Sequence, residues 1–277
     1  MSSAASFATK VAVVTGASSG IGREVAIQLA SQGTNLVLVG RDSQRLSAVA
    51  QQCAENAGKL VVVVSDLSLE DECARAIAEA VREFGGVDAL FCVAGQAMKG
   101  RFADADNAQA CVRVMRVNYD STVFLCHHAL PHLTKRKGRI VVVGGLVGHA
   151  GVPGYSAYAA AKHAVVGFCR TLRRELMPTG VSVTLVSPDT VKTAVRDNML
   201  NASGMPSPES YGSESAMSAS ECARHVLAAA LARTPELVLG RVRLLQTLQA
   251  ILPGALDRLL TKPTGSSGPT QPTAATR

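Results

Sequence analysis

Tryptophan is absent from this 277-residue chain, and aromatic residues make up only 4% of it. That leaves no stacking platform for single-stranded nucleic acid, although the net charge is +7. Lys and Arg are spread along the chain, so the basic balance suits an anionic small molecule or surface better than a nucleic acid. Charged residues are scarce at 18%, as expected for a sheet covered on both faces. Long apolar runs are missing too. No stretch of about 20 uncharged apolar residues exists to span a membrane, and the first strand begins near Lys10, which leaves no room before it for a leader. No two cysteines stand in CxxC spacing. The seven (Cys53, Cys73, Cys92, Cys111, Cys126, Cys169 and Cys222) are odd in number and lie mostly in apolar stretches. They point to a reducing, cytoplasmic setting rather than a disulfide framework. His127, His128 and His132 share one segment, but Pro131 interrupts it and no Cys or carboxylate joins them, so no metal site is expected.

What is present is a rhythm of short Val-rich runs. Lys10–Thr15, Asn35–Val39, Leu60–Val64, Ala89–Val93, Arg139–Val143 and Val181–Val186 read as buried strands, with a seventh at Glu236–Leu239. Between them, Ile21–Ser31, Gln44–Asn56, Leu69–Phe84, Ala108–Lys135 and Ser156–Met177 carry apolar residues at helical spacing. Strand–helix alternation predicts one Rossmann-type α/β domain with a doubly wound parallel sheet. The domain is expected over residues 10–260, after an N-terminal extension of residues 1–9. Residues 196–219 read as a lid loop, 238–260 as an amphipathic segment, and 261–277 as a disordered tail.

Three patterns carry chemistry. Thr15-Gly16-Ala17-Ser18-Ser19-Gly20-Ile21-Gly22 follows the first strand and opens a helix. Such a turn lets a pyrophosphate approach backbone N–H groups at a helix N-terminus. The second strand ends in Gly40-Arg41-Asp42, where a binder of the unphosphorylated cofactor usually has an acid. Arg41 suits a 2′-phosphate, which favours NADP(H); Asp42 is expected to cap the following helix. In Tyr158-Ala159-Ala160-Ala161-Lys162, the i, i+4 spacing places the phenol and ammonium on one helix face. A nearby ammonium favours phenolate, which predicts a lowered Tyr158 pKa.

Together with Asn118, these patterns resemble the short-chain dehydrogenase/reductase family from about Lys10 to Thr193. The resemblance implies Tyr158 as proton donor, Lys162 on the nicotinamide ribose and Asn118 on a relay water. It also implies that Asp66 and Leu67 contact the adenine and that Pro188, Thr190 and Thr193 contact the nicotinamide end. The family's NNAG segment stands here as Cys92-Val93-Ala94-Gly95. A finer likeness, to the 3-ketodihydrosphingosine reductases, rests on several short stretches. They are Ser187-Pro188-Asp189-Thr190, Lys99-Gly100-Arg101-Phe102, Val117-Asn118-Tyr119 and Met217 to Ala223. It implies a long-chain keto-lipid substrate, a homodimer or homotetramer, and a place at the cytosolic face of the endoplasmic reticulum.

One expected hydroxyl is missing. The family's catalytic Ser lies thirteen positions before the Tyr, and that position holds Gly145. Losing one such donor typically costs ~10²–10³ in rate. Ser156, Tyr155, Thr190 or a water beside Gly145 could stand in. Three readings stay open: an NADPH-dependent ketone reductase, an NADP(H)-binding sensor or scaffold without turnover, and a dehydrogenase of steroid or other alcohols. The segment Val238–Leu260 has Val242, Leu244, Leu245, Leu248, Ile251 and Leu252 at roughly helical spacing beside Arg241, Arg243 and Arg258. It fits a helix packed over the substrate mouth, one buried against a subunit, or one lying on a membrane.

Overall fold

A computed structural model describes residues 6–105, 108–195, 197–208 and 216–261 of the chain. The Val-rich runs form strands β1 (Val11–Thr15), β2 (Asn35–Gly40), β3 (Leu60–Val64), β4 (Ala89–Cys92), β5 (Arg139–Val143), β6 (Ser182–Ser187) and β9 (Glu236–Val238). They make one sheet in the order β3-β2-β1-β4-β5-β6-β9, with every pairing parallel. The order reverses between β1 and β4, which opens a crevice at their carboxyl ends, the usual ligand position in such sheets.

Helices cover both faces. On one lie α1 (Gly20–Ala30), α2 (Ser43–Ala54) and α7 (Ala219–Leu231), which bury Val25, Leu29, Leu46 and Val226 against Val14, Leu36 and Leu38. On the other lie α3 (Glu70–Phe84), α5 (Ser121–Arg136) and α6 (Ser156–Leu176), which bury Ile77, Leu125, Leu133 and Val165 against Val13, Leu90 and Ile140. Capping fixes several ends. Asp42 accepts from Arg45 N (2.9 Å) at the start of α2, as its sequence position predicts, and Ser218 accepts from Glu221 N (3.1 Å) at the start of α7.

Three sequence expectations need correction. Phe7, placed in an N-terminal extension, is fully buried and packs edge-on against Phe91 with ring centroids 5.7 Å apart; a large apolar side chain next to the first strand had somewhere to go. The segment read as one helix over Ala108–Lys135 is α4 (Gln109–Met115), a π-helical turn over Arg116–Asp120, and α5. Apolar spacing does not register a one-residue bulge, and such bulges gather at functional sites. The lid loop expected over 196–219 ends early. Met217–Ser218 forms strand β8, paired in parallel with β7 (Val191–Lys192), and α7 starts at Ala219. Part of that loop, residues 196 and 209–215, lies outside the described residues, as do residues 262–277 of the expected tail. The segment after β9 is helical, as its spacing suggests, and forms α8 (Val242–Ile251) and α9 (Pro253–Leu260). Pro253 opens the second helix, where its missing N–H is harmless.

Among the described residues no helix is long and apolar enough to cross a membrane, and no cluster of three or more potential metal ligands occurs. His127 and His128 stack edge-on at 5.0 Å, and His128 Nε2 lies 3.6 Å from Glu70.

Candidate active site

The carboxyl ends of β1, β2, β4, β5 and β6 open into one cleft of about 1050 Å³. Gly16, Ser18, Ser19, Gly20, Ile21 and Gly22 line one wall, with Arg41, Asp66 and Leu67 at the β2–β3 end. Ala94, Gly95, Gly145, Tyr158 and Lys162 lie along the centre, and Pro188, Thr190 and Thr193 close the far side. Thr15 and Asn118, also expected at the site, do not line it. The Thr15 hydroxyl is fully buried. It donates to Phe91 O (3.2 Å) and accepts from Val93 N (3.0 Å) and Ala94 N (3.2 Å), so it staples β1 to the loop after β4. Asn118 is buried behind Gly95 and Gln96.

The turn after β1 fits a dinucleotide. Gly16 has φ of +65°, and a Cβ there would sit 2.9 Å from Ala94 Cα. Only glycine keeps this cradle open. Ser19 precedes α1 without a side-chain cap, so the first N–H groups of the helix remain for an anion. Arg41 is exposed and makes no ion pair among the described residues. Arg45, from the first turn of α2, lines the same cleft and pairs with Asp42 at 3.2 Å. Sequence reading missed Arg45, although an arginine one helical turn beyond Arg41 is the signal that could have found it. Two guanidiniums therefore flank the Gly40 strand end, and the Asp42 carboxylate that also lines the cleft there is held by Arg45.

Tyr158 and Lys162 share one face of α6, with the ammonium 5.7 Å from the phenol ring centroid. Lys162 Nζ is buried and donates to Val143 O (3.1 Å), which fixes it under the end of β5. The expected lowering of the Tyr158 pKa is not found. Burial, with a smaller contribution from Tyr155, pushes Tyr158 up to about 12, and burial pushes Lys162 down to about 8. The phenol is thus held protonated across the physiological range, as a proton donor must be.

Asn118 lies in the π-helical turn, and its amide Nδ2 donates to Gln96 O and Val114 O, both at 2.9 Å. Its Oδ1 is buried without a partner. A Cβ on Gly95 would lie 2.7 Å from this oxygen and 3.7 Å from Lys162 Nζ. An unpaired acceptor beside an ammonium is a place for a bound water.

Gly145 stands where a Cβ would meet nothing within 4 Å, so the cleft has room for a side chain here. Its φ of +153°, however, is one that L side chains rarely adopt. Of the hydroxyls that could stand in, Tyr155 and Thr190 line the cleft and Ser156 does not. Leu146, Val147, Val152, Met199, Leu200 and Pro206 add an apolar part to the lining, beside the polar Gln96, Asp197 and Asn198.

Comparisons with known proteins agree with this architecture. Residues 10–203 match the short chain dehydrogenase family model. An 11-beta-hydroxysteroid dehydrogenase-like 4A of Arabidopsis thaliana is 39% identical over 184 residues, which is 66% of this chain and 61% of that protein. The chain thus spans about three fifths of that relative's length. A Dictyostelium discoideum dehydrogenase/reductase SDR family protein 7-like is 30% identical over 95% of this chain and 84% of its own. Among solved structures, a short-chain dehydrogenase/reductase of Caenorhabditis elegans with cofactor superposes with a TM-score of 0.75 at 27% identity, covering 88% of this chain and 98% of that one. An alcohol dehydrogenase of Thermococcus sibiricus complexed with 5-hydroxy-NADP gives 0.72 at 25% identity, covering 83% and 96%. With the parallel sheet, the Gly-rich turn and the Tyr158–Lys162 pair already in place, these matches show that the chain belongs to the short chain dehydrogenase family.

Proposed function

We propose that this chain is an NADP(H)-dependent oxidoreductase that reduces the carbonyl of a bulky, uncharged compound, with Tyr158 as the proton donor. One observation carries the reading: the Gly-rich turn, Arg41 with Arg45, and the Tyr158–Lys162 pair open into a single cleft that Leu146, Val147, Val152 and Met199 also line. The Gly16 cradle fits the cofactor, which when bound supplies the hydride. Arg41 and Arg45 would hold its 2′-phosphate. Tyr158 hydrogen-bonds the carbonyl oxygen and gives up its proton as negative charge develops there. The Lys162 ammonium stabilises the phenolate that results, and water at Asn118 Oδ1 returns the proton. The relatives above carry dehydrogenase names, one of them hydroxysteroid and none keto-lipid. The sequence likeness to keto-lipid reductases supports a long-chain ketone, and the apolar lining suits either skeleton. A panel of ring ketones and 3-keto-lipids separates the two. Gly145 favours the second reading, an NADP(H) binder without turnover, because the site lacks one oxyanion donor.

Cofactor choice tests the cleft directly. A hydrogen bond to a charged group contributes about 1.5–3 kcal/mol, so Arg41→Ala should weaken NADPH binding by roughly 10- to 150-fold. NADH affinity should barely move. Arg45→Ala should act in the same direction. Fluorescence titration of both cofactors measures this, and equal affinities in the parent protein refute the phosphate clamp.

The surface after β9 supports a partner. Of the two C-terminal helices only Val242 and Leu256 are buried, while Leu244 (60% exposed) and Ile251 (69%) face solvent with Leu252 and Leu259. Arg241, just before α8, binds Asp189 at the cleft rim (2.8 Å) and anchors the pair there. Exposed leucines beside Arg243 and Arg258 fit an anionic membrane surface, from which an apolar substrate would reach the cleft. The full chain should float with anionic vesicles at low salt, and Leu244→Glu/Ile251→Glu should not. If the parent stays with the unbound protein, the membrane role fails. Light scattering of the same sample tests the homodimer or homotetramer that the family resemblance implies.

A further inference from the structure

The segment after β4 touches both the relay residue and the substrate loop. Gln96 does so with two different groups. Its main-chain oxygen accepts one of the two Asn118 Nδ2 hydrogens (2.9 Å). Its side-chain amide donates to Asn198 O and, at 3.3 Å, to Ala97 O. Asn198 belongs to the loop that leaves Thr193, and both Gln96 and Asn198 line the cleft. The next residues extend the contact. Leu200 N donates to Ala97 O (3.0 Å), Lys99 N donates to Leu200 O (2.8 Å), and Met98 pairs with Leu200 in a parallel bridge. Leu200 also bridges Pro206, and Ser207 N donates to Met199 O (2.7 Å), so the loop is held through its own backbone as well.

We infer that Gln96 is a positioning residue that ties closure of the 197–207 loop to the orientation of Asn118. This deepens the carbonyl-reductase reading and, for its kinetic part, rests on it. The physical case is one of donors and acceptors. Asn118 has two amide hydrogens, and the oxygens of Gln96 and Val114 take both. That leaves only the acceptor Oδ1 facing the Lys162 side, where an ammonium can use it or a water can bridge it. If residue 96 shifts, one hydrogen loses its acceptor. The amide can then flip and turn an N–H towards the ammonium, donor against donor. The side chain of Gln96 resists that shift only while Asn198 O is in place, which is when the loop lies closed over the cleft. An open loop would therefore loosen the relay, and a closed loop would set it.

The inference is tested on the full-length protein loaded with NADPH, comparing the parent with Gln96→Glu and Gln96→Ala. The Glu variant keeps the shape and removes the donated hydrogens, so it remains informative if the Ala variant fails to fold. Two readouts do not depend on turnover. Hydrogen exchange at the Leu200 and Lys99 amides should quicken in the variant, and the Asn118 side-chain amide signal in NMR should shift with it. Turnover of an accepted ketone should fall about tenfold in kcat, the size of one hydrogen bond, with a smaller change in KM. The ratio of Gln96→Glu to parent activity should recover as pH falls through the carboxyl range, because the protonated acid can donate to Asn198 O again. A purely structural defect would not recover. Faster loop exchange with an unmoved Asn118 signal overturns the inference, and so does unchanged exchange in both variants. Both shifts in the variants, beside a parent that turns over no ketone, sink the reductase reading and leave the coupling standing.

Discussion

Tyr158→Phe is expected to lower carbonyl turnover by about 10²–10⁴, the range for losing a positioned proton donor. The substitution removes one hydroxyl and keeps the ring, so thermal melting should show an intact fold. The size of the effect follows from the site. Burial holds the phenol protonated to about 12, and Lys162 is pinned to Val143 O beneath it. No hydroxyl stands at position 145 to share the load. With two oxygen donors at the carbonyl, losing one leaves the other. Here Tyr158 is the main donor the chain offers, so a Phe variant that turns over like the parent would remove it from the chemistry.

Gly145→Ser is expected to have the opposite effect on rate and an adverse one on stability. The new hydroxyl enters a part of the cleft where a Cβ meets nothing within 4 Å. One preorganised oxyanion donor is worth ~10²–10³ in rate, which sets the upper limit of the gain. The backbone opposes it. At φ of +153° an L side chain is strained, by about 1–3 kcal/mol for such conformations. That corresponds to a melting temperature lower by several degrees in a chain of this size. Kinetics and melting of the same preparation separate the two effects. If turnover does not rise on any ketone while the variant still folds and binds NADPH, the missing hydroxyl is not what limits the site, and the chain is better described as a cofactor binder.

The fold was readable because the strands are so uniform. Runs such as Leu60–Val64 and Arg139–Val143 have the same bounds in sequence and structure; β5 is covered as expected, whereas β3 is an edge strand with Val62 and Val64 exposed. The seventh strand at Glu236 was also legible, and its place beside β6 completes the sheet. Local polarity hid other features. The π-helical turn that carries Asn118 looks like ordinary helix in a periodicity plot. The burial of Phe7 depends on a contact with Phe91, 84 positions away.

At the site, the Gly-rich turn from Gly16 to Gly22 and the Tyr158–Lys162 pair line one cleft, while Thr15 and Asn118 lie behind it. Asp42 was ambiguous by position alone and is resolved by its bond to Arg45 N. The pKa of Tyr158 went the other way from the sequence expectation. An i, i+4 pair reveals the neighbouring charge but not the burial that raises the phenol. Gln96 was invisible for a similar reason: its role lies in a main-chain oxygen and in a contact with Asn198, 102 positions away. The exposed face of α8 and α9 could not be told from a buried one, because amphipathic spacing says which residues share a face and not what covers it.

The central claim is that NADPH bound in this cleft gives its hydride to a ketone protonated by Tyr158. The most direct measurement uses NADPH deuterated at the transferring position, incubated with the parent protein and with Tyr158→Phe over the panel of ring ketones and 3-keto-lipids. Mass spectrometry of the products reads the result. The account predicts an alcohol carrying deuterium on the former carbonyl carbon, formed by the parent and nearly absent with the Phe variant. NADPH that binds tightly but leaves every ketone undeuterated would contradict it.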